Sequence, residues 1–157
     1  MKAASVQELK DELKQVSPRE LLELCLRLAR FKKENKELLT FLLFEAHNEP
    51  DFVEGVKKEI ESYFEELPKA NWFLTKKSLR KIIRLINKYK RYMQKKESEV
   101  ELRIHFCTLL KSSLSRFGNS QPLRYLFDQE LIRAKSGLKD VHEELQYDYR
   151  RKLDALA

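Results

Sequence analysis

The sequence predicts an all-α fold: seven or eight antiparallel helices, stacked as a short HEAT-like α-solenoid or gathered as an irregular helical bundle. Three observations carry this. Apolar residues recur at i, i+3, i+4 and i+7 along most of the chain. Gly and Pro are scarce, 3 and 4 in 157 residues, while the helix formers Lys, Glu, Leu and Arg dominate. No stretch shows the alternating apolar pattern of strands bounded by turns. The length fits one domain, residues 1–157. A chain of this size buries roughly 70% of its unfolded surface, enough for a core without disulfides or metals.

The helices can be placed from their punctuation. Ser5 with Glu8 has capping-box spacing before a short helix at 5–15. Ser17, Pro18 and Glu20 supply cap, N1 proline and N3 carboxylate for a helix running to Phe31, striped by Leu21, Leu24, Cys25 and Leu28. The helix at 34–47 is apolar nearly all round and is expected at the centre of the fold. Asn48 to Asp51 starts an acidic helix at 51–66, with Phe52, Val56, Ile60, Tyr63 and Phe64 inward. Pro68 to Leu74 reads as a connector in which Trp72 and Phe73 fold back over a helix pair.

A long basic helix follows, to residue 96. Ser98 with Glu101 predicts a capping box for the next helix, which ends at Gly118. Pro122 opens another, Gly137 breaks it, and a last helix covers 138–155 with Leu138, Val141, Leu145, Tyr149 and Leu153 inward.

The net charge of +7 is localised. Residues 1–66 have a net charge of −4, residues 67–96 have +11 with no acid, and residues 97–157 are neutral. Within the basic helix, Leu79, Ile82, Ile83, Ile86, Tyr89 and Met93 form one face. Lys77, Arg80, Lys81, Arg84, Lys88, Arg91 and Lys95 form the other, with Tyr92 at the border. Such a row has the spacing to follow a nucleic-acid backbone, with Tyr92 and Tyr89 as stacking surfaces. It also suits an acidic protein partner or an anionic membrane surface. Alternatively, the acidic helix at 51–66 neutralises it within the fold.

The chemistry of most enzymes is missing from the pattern. No HExxH, CxxC, P-loop, GxGxxG or GxSxG occurs. Cys25 and Cys107 are expected as buried thiols, and the histidines His47, His105 and His142 form no ligand set. No enzyme activity, metal or cofactor is expected. The longest dense apolar run, LLTFLLFEA, is too short to span a bilayer, and the N-terminal residues lack the apolar region of a signal peptide. A cytoplasmic location without membrane insertion is the expectation.

The stretch SVQELKDELKQVSPRELLELCLRLARFKKENKELLTFLL, through SPRELLEL and FKKENKELLTFLL, resembles small all-helical bacterial proteins grouped as a family of unknown function. The resemblance covers about the first 45 residues, implies helical-repeat-like packing and supplies no activity. The leading expectation is a non-enzymatic protein-interaction or scaffold module. The alternative is a nucleic-acid-binding accessory protein that makes sequence-independent phosphate contacts through residues 76–96.

Overall fold

The structure is a computed structural model that describes residues 1–68, 71–118 and 120–157. All regular structure among the described residues is helical, in the order α1 (Val6–Leu13), α2 (Pro18–Phe31), α3 (Lys33–Thr40), α4 (Glu49–Glu65), α5 (Trp72–Lys90), α6 (Lys96–Leu114), α7 (Gln121–Gly137) and α8 (Glu143–Leu156). A π-helical turn, Phe41–Glu45, and a 3-10 turn, Ala46–Asn48, join α3 to α4. No helix among the described residues is long and apolar enough to cross a membrane.

The chain divides into two compact units, Met1–Phe44 and Glu45–Ala157. The boundary falls where the α-helical hydrogen-bond pattern gives way to the π and 3-10 turns.

In Met1–Phe44, both predicted capping boxes form. Ser5 and Ser17 accept from the backbone of Glu8 and Glu20, whose carboxylates accept from the serine backbone in return. Both carboxyls are held below their ordinary range, Glu8 chiefly by the Ser5 side chain and Glu20 chiefly by the Ser17 backbone N–H. Helices α2 and α3 pack together, and Asn35 Nδ2 donates to the Leu28 carbonyl at 2.8 Å. Yet no residue of α1, α2 or α3 is buried. The predicted central helix at 34–47 is therefore not central. Phe41 is buried, but Leu42, Leu43 and Phe44 are exposed.

In Glu45–Ala157 the central role falls to α6, which packs against α4, α5, α7 and α8. It buries Val100, Leu102, Ile104, Phe106, Cys107, Leu110 and Leu114 around its circumference. Each fully buried Leu or Phe contributes about 1.5–3 kcal/mol. Helix α5 buries Thr75, Leu79, Ile82, Ile83 and Ile86, and α7 buries Leu123, Leu126, Phe127, Leu131 and Ala134. Leu145, expected inside, is 38% exposed, while Tyr149 and Leu153 are buried as expected.

Two junctions differ from expectation. Helix α5 begins at Trp72 rather than after a connector, because Asn71 Oδ1 accepts from the backbone N–H of Phe73 and Leu74. Helix α6 begins at Lys96, so Ser98 and Glu101 form no capping box. Ser98 Oγ instead donates to the buried Glu49 carboxylate, which also lies 3.4 Å from the backbone N atoms of Gln94 and Lys95. Glu49, at the start of α4, thus supplies the acceptors that the α6 N-terminus lacks in its own sequence. At the other end of α6, Gly118 takes the left-handed conformation at φ 64° and stops the chain as predicted.

Candidate functional site

Three places collect the groups that bear chemistry. The first is the cationic face of α5. Lys77, Arg80, Lys81 and Arg84 are exposed, on the side opposite Leu79, Ile82, Ile83 and Ile86. Lys77, Arg80 and Arg84 make no ion pair with any described residue. No described carboxylate of the acidic helix α4 lies within ion-pair distance of them. Arg84 Nε donates to the Arg80 backbone carbonyl at 3.3 Å, which ties the Arg84 guanidinium to the preceding turn of the helix. Lys81 Nζ lies 4.9 Å from the centre of the Tyr63 ring.

The lower half of the predicted row is different. Lys88 lies 4.6 Å from the centre of the Tyr89 ring, and Arg91 forms the C-cap of α5. Neither is free of neighbours within the fold. Lys95 lies beyond the end of α5, at the N-cap of α6, so it does not extend the row. Tyr92 is 7% exposed and is not a stacking surface. Tyr89 is half-buried; its hydroxyl donates to Glu59 at 3.2 Å, and its ring meets Phe52 edge-on at 5.2 Å.

The aromatic groups exposed on α5 are instead Trp72 and Phe73, at 48% and 62%. They were expected to fold back over a helix pair and do not. Their rings meet edge-on with centroids 6.1 Å apart.

The second place is a cleft of about 380 Å³ between α5, α6 and α7, lined by Asn87, Lys90, Glu99, Arg103 and Arg133 among others. Arg103 lies at its floor, 3% exposed, and pairs with Glu130 of α7, itself 1% exposed. Its other donors reach Glu99 Oε1 at 2.9 and 3.0 Å and Asn87 Oδ1 at 2.8 Å. Lys90 pairs with Glu99 at 2.9 Å and Arg133 with Glu130 at 2.5 Å. Burial alone would raise the Glu99 carboxyl, but the Lys90 and Arg103 hydrogen bonds and charges outweigh it, and the group is held below its ordinary value.

Sequence inspection had passed over this network. The signal was present in Glu130, which occupies the inward stripe Leu123, Leu126, Phe127, Glu130, Leu131 and Ala134. Arg103 likewise stands in register with Phe106, Cys107 and Leu110.

The third place is an apolar groove of about 590 Å³ within Met1–Phe44, lined by Leu26, Ala29, Leu39, Leu43 and Phe44. Arg30, Lys33 and Lys36 form its rim.

The histidines and cysteines make no common site. His142 is exposed at the N-cap of α8, and His47 is exposed in the 3-10 turn. Both cysteines are free thiols: Cys107 is buried as expected, whereas Cys25 is only partly so. No group of three or more His, Cys, Asp or Glu able to hold a metal occurs among the described residues. No family model, curated protein or solved structure matches the chain.

Proposed function

We propose that this chain is a non-enzymatic helical interaction module whose partner-binding surface is the groove between α2 and α3. The observation that carries this is the apolar surface left open in Met1–Phe44. Leu43 and Phe44, which line the groove, stand open at 63% and 64%, and on another side of α2 Leu24, Leu28 and Phe31 are 41%, 61% and 75% exposed. Helices of 8, 14 and 8 residues are marginal in water without apolar cover. Contiguous apolar surface with a polar rim is the usual signature of a protein contact. The rim of Arg30, Lys33 and Lys36 favours an amphipathic helix with acidic flanks, laid into the groove through residues at i, i+3, i+4 and i+7.

The cleft above Arg103 is the feature that weighs toward a small-molecule site. Its charged groups, however, are hydrogen-bonded to one another, which supports a structural role for them.

The test is affinity capture from an extract of the source cells by the full chain, compared with Leu43→Glu/Phe44→Glu. Both residues are exposed, so the substitution removes apolar contact without opening the core. A stoichiometric partner held by the wild type and lost from the variant supports the reading. Identical captured sets overturn it.

A further inference from the structure

Helix α5 carries an arrangement that neither its core packing nor the α2–α3 groove uses. At 100° per residue, Phe73, Lys77, Arg80 and Arg84 fall within about 60° of one another on its outer face. Phe73 therefore heads the line of cations, with Trp72 one residue before it and also exposed. The Asn71 cap fixes this first turn, so the aromatic pair and the cations are held on one rigid element. From Phe73 to Arg84 the face runs about 16 Å. No acid interrupts it: Trp72–Lys90 contains no Asp or Glu.

We propose that this face binds single-stranded nucleic acid, with bases stacking on Phe73 and Trp72 and backbone phosphates pairing with Lys77, Arg80 and Arg84. Each half of the arrangement selects for one half of a nucleotide. Phosphates satisfy guanidinium and ammonium groups that have no carboxylate partner among the described residues. Unpaired bases present flat faces to exposed rings, whereas a duplex keeps those faces stacked inside. An acidic protein segment would answer the cations and leave the two rings idle. Contacts to backbone phosphates and base faces do not read base edges, so the proposed recognition is independent of sequence.

The test is fluorescence anisotropy with the full-length protein. The probes are a labelled single-stranded oligothymidylate, an oligouridylate, a DNA duplex of equal length and a labelled polyglutamate, each at low and at physiological salt. The proposal expects saturable binding of the single strands, weakening with salt at a log–log slope of about −2 for three phosphate contacts. Arg80→Gln/Arg84→Gln should reduce that slope to below about −1 in magnitude. Phe73→Ala should weaken single-strand binding by about 5-fold or more and leave the duplex unchanged, because a base stacked on a ring contributes about 1–3 kcal/mol. Phe73, Arg80 and Arg84 are all exposed, and circular dichroism of each variant checks that the fold is retained.

The two single-strand probes separate DNA from RNA as the source of the phosphates. Failure to bind any probe at low salt overturns the proposal. So does duplex binding equal to single-strand binding with no effect of Phe73→Ala. Tighter binding of polyglutamate than of the single strands overturns it in favour of an acidic protein. The groove variant Leu43→Glu/Phe44→Glu serves as a control and should bind the oligonucleotides like wild type, so the two surfaces succeed or fail separately.

Discussion

Arg103 of α6 and Glu130 of α7 form an ion pair that is almost wholly removed from solvent, at 3% and 1% exposure. Neither group is left with the other as its sole partner. Arg103 also donates to Glu99 and Asn87, and the second Glu130 oxygen accepts from Arg133. A buried pair recovers its desolvation cost only when its remaining donors and acceptors are satisfied, and these are. The network ties α5, α6 and α7 together at one level of the Glu45–Ala157 unit.

Breaking this pair from one side should be costly, and removing both sides much less so. Arg103→Met leaves the Glu130 carboxylate buried beside a thioether, and the expected loss is about 3–5 kcal/mol. Arg103→Met/Glu130→Leu removes both charges and should recover most of it, because apolar pairs of similar volume are tolerated at such sites. Urea unfolding monitored by circular dichroism measures both. A single substitution costing under about 1 kcal/mol would mean that water reaches the pair.

The crossing of α6 and α7 depends on the missing side chain of Gly137. A Cβ there would come within 2.8 Å of Val100 Cγ2, and Val100 is itself 1% exposed. The backbone at Gly137 is ordinary, with φ −66°, so packing rather than conformation excludes a side chain. Overpacking of this kind costs about 1–3 kcal/mol and is opposed by the higher helix propensity of alanine, about 1 kcal/mol. Gly137→Ala should therefore destabilise by up to about 2 kcal/mol. In a Val100→Ala background the same substitution should become neutral or stabilising, and a double-mutant cycle in urea reads the change of sign.

The elements that were legible in the sequence are those specified by local chemistry. Ser5–Glu8, Ser17–Glu20, Pro122 and Gly118 each act within a few residues, and each terminates or starts its helix where the sequence indicates. The errors arose where a distant partner decides. Ser98 is in capping-box register with Glu101, yet it turns to Glu49, a residue 49 positions away. The Leu/Phe-rich stretch after Lys33 has more apolar residues per turn than α6, yet α6 is central because four helices surround it. Periodicity states which residues want cover and not which element supplies it. The same limit applies to α5. Its two faces were readable, but the burial of Tyr92 and the exposure of Phe73 followed from where the helix starts and stops.

The two thiols should respond differently to modification. Cys107 is fully buried on α6, and burial, reinforced by the nearby Glu130 charge, pushes its pKa up to about 12. Thiolate is the reactive form, so Cys107 should stay silent toward a thiol reagent near neutral pH until the fold opens. Cys25, partly exposed on α2, should react in the native protein. Timed labelling with and without urea, followed by mass spectrometry of the peptides, separates the two. Comparable labelling of both thiols in the native state would show that α6 opens on the time scale of the reaction.

His105 gives the Glu45–Ala157 unit a pH dependence whose sign follows from its surroundings. The ring sits half-buried on α6, facing Glu61, Lys57 and Glu54 of α4. Its Nε2 lies 3.1 Å from Glu61 Oε1, close enough for an ion pair, but the atoms are not aligned for a hydrogen bond. Burial is the largest influence and lowers the imidazole pKa below its ordinary value of 6.5; Lys57 adds to this, and Glu61 and Glu54 oppose it. Above that value both folded and unfolded chains hold a neutral ring, and the full stability is present. As pH falls below it, the unfolded chain binds a proton before the folded chain does, so stability declines. His105→Gln removes this contribution. Between about pH 7.5 and about pH 5.5 the wild type should lose more unfolding free energy than the variant, with the carboxylates still largely ionised. Urea midpoints at the two pH values measure the difference. A larger loss in the variant would show that the Glu61 carboxylate captures the imidazolium in the folded state and that attraction, rather than burial, governs the ring.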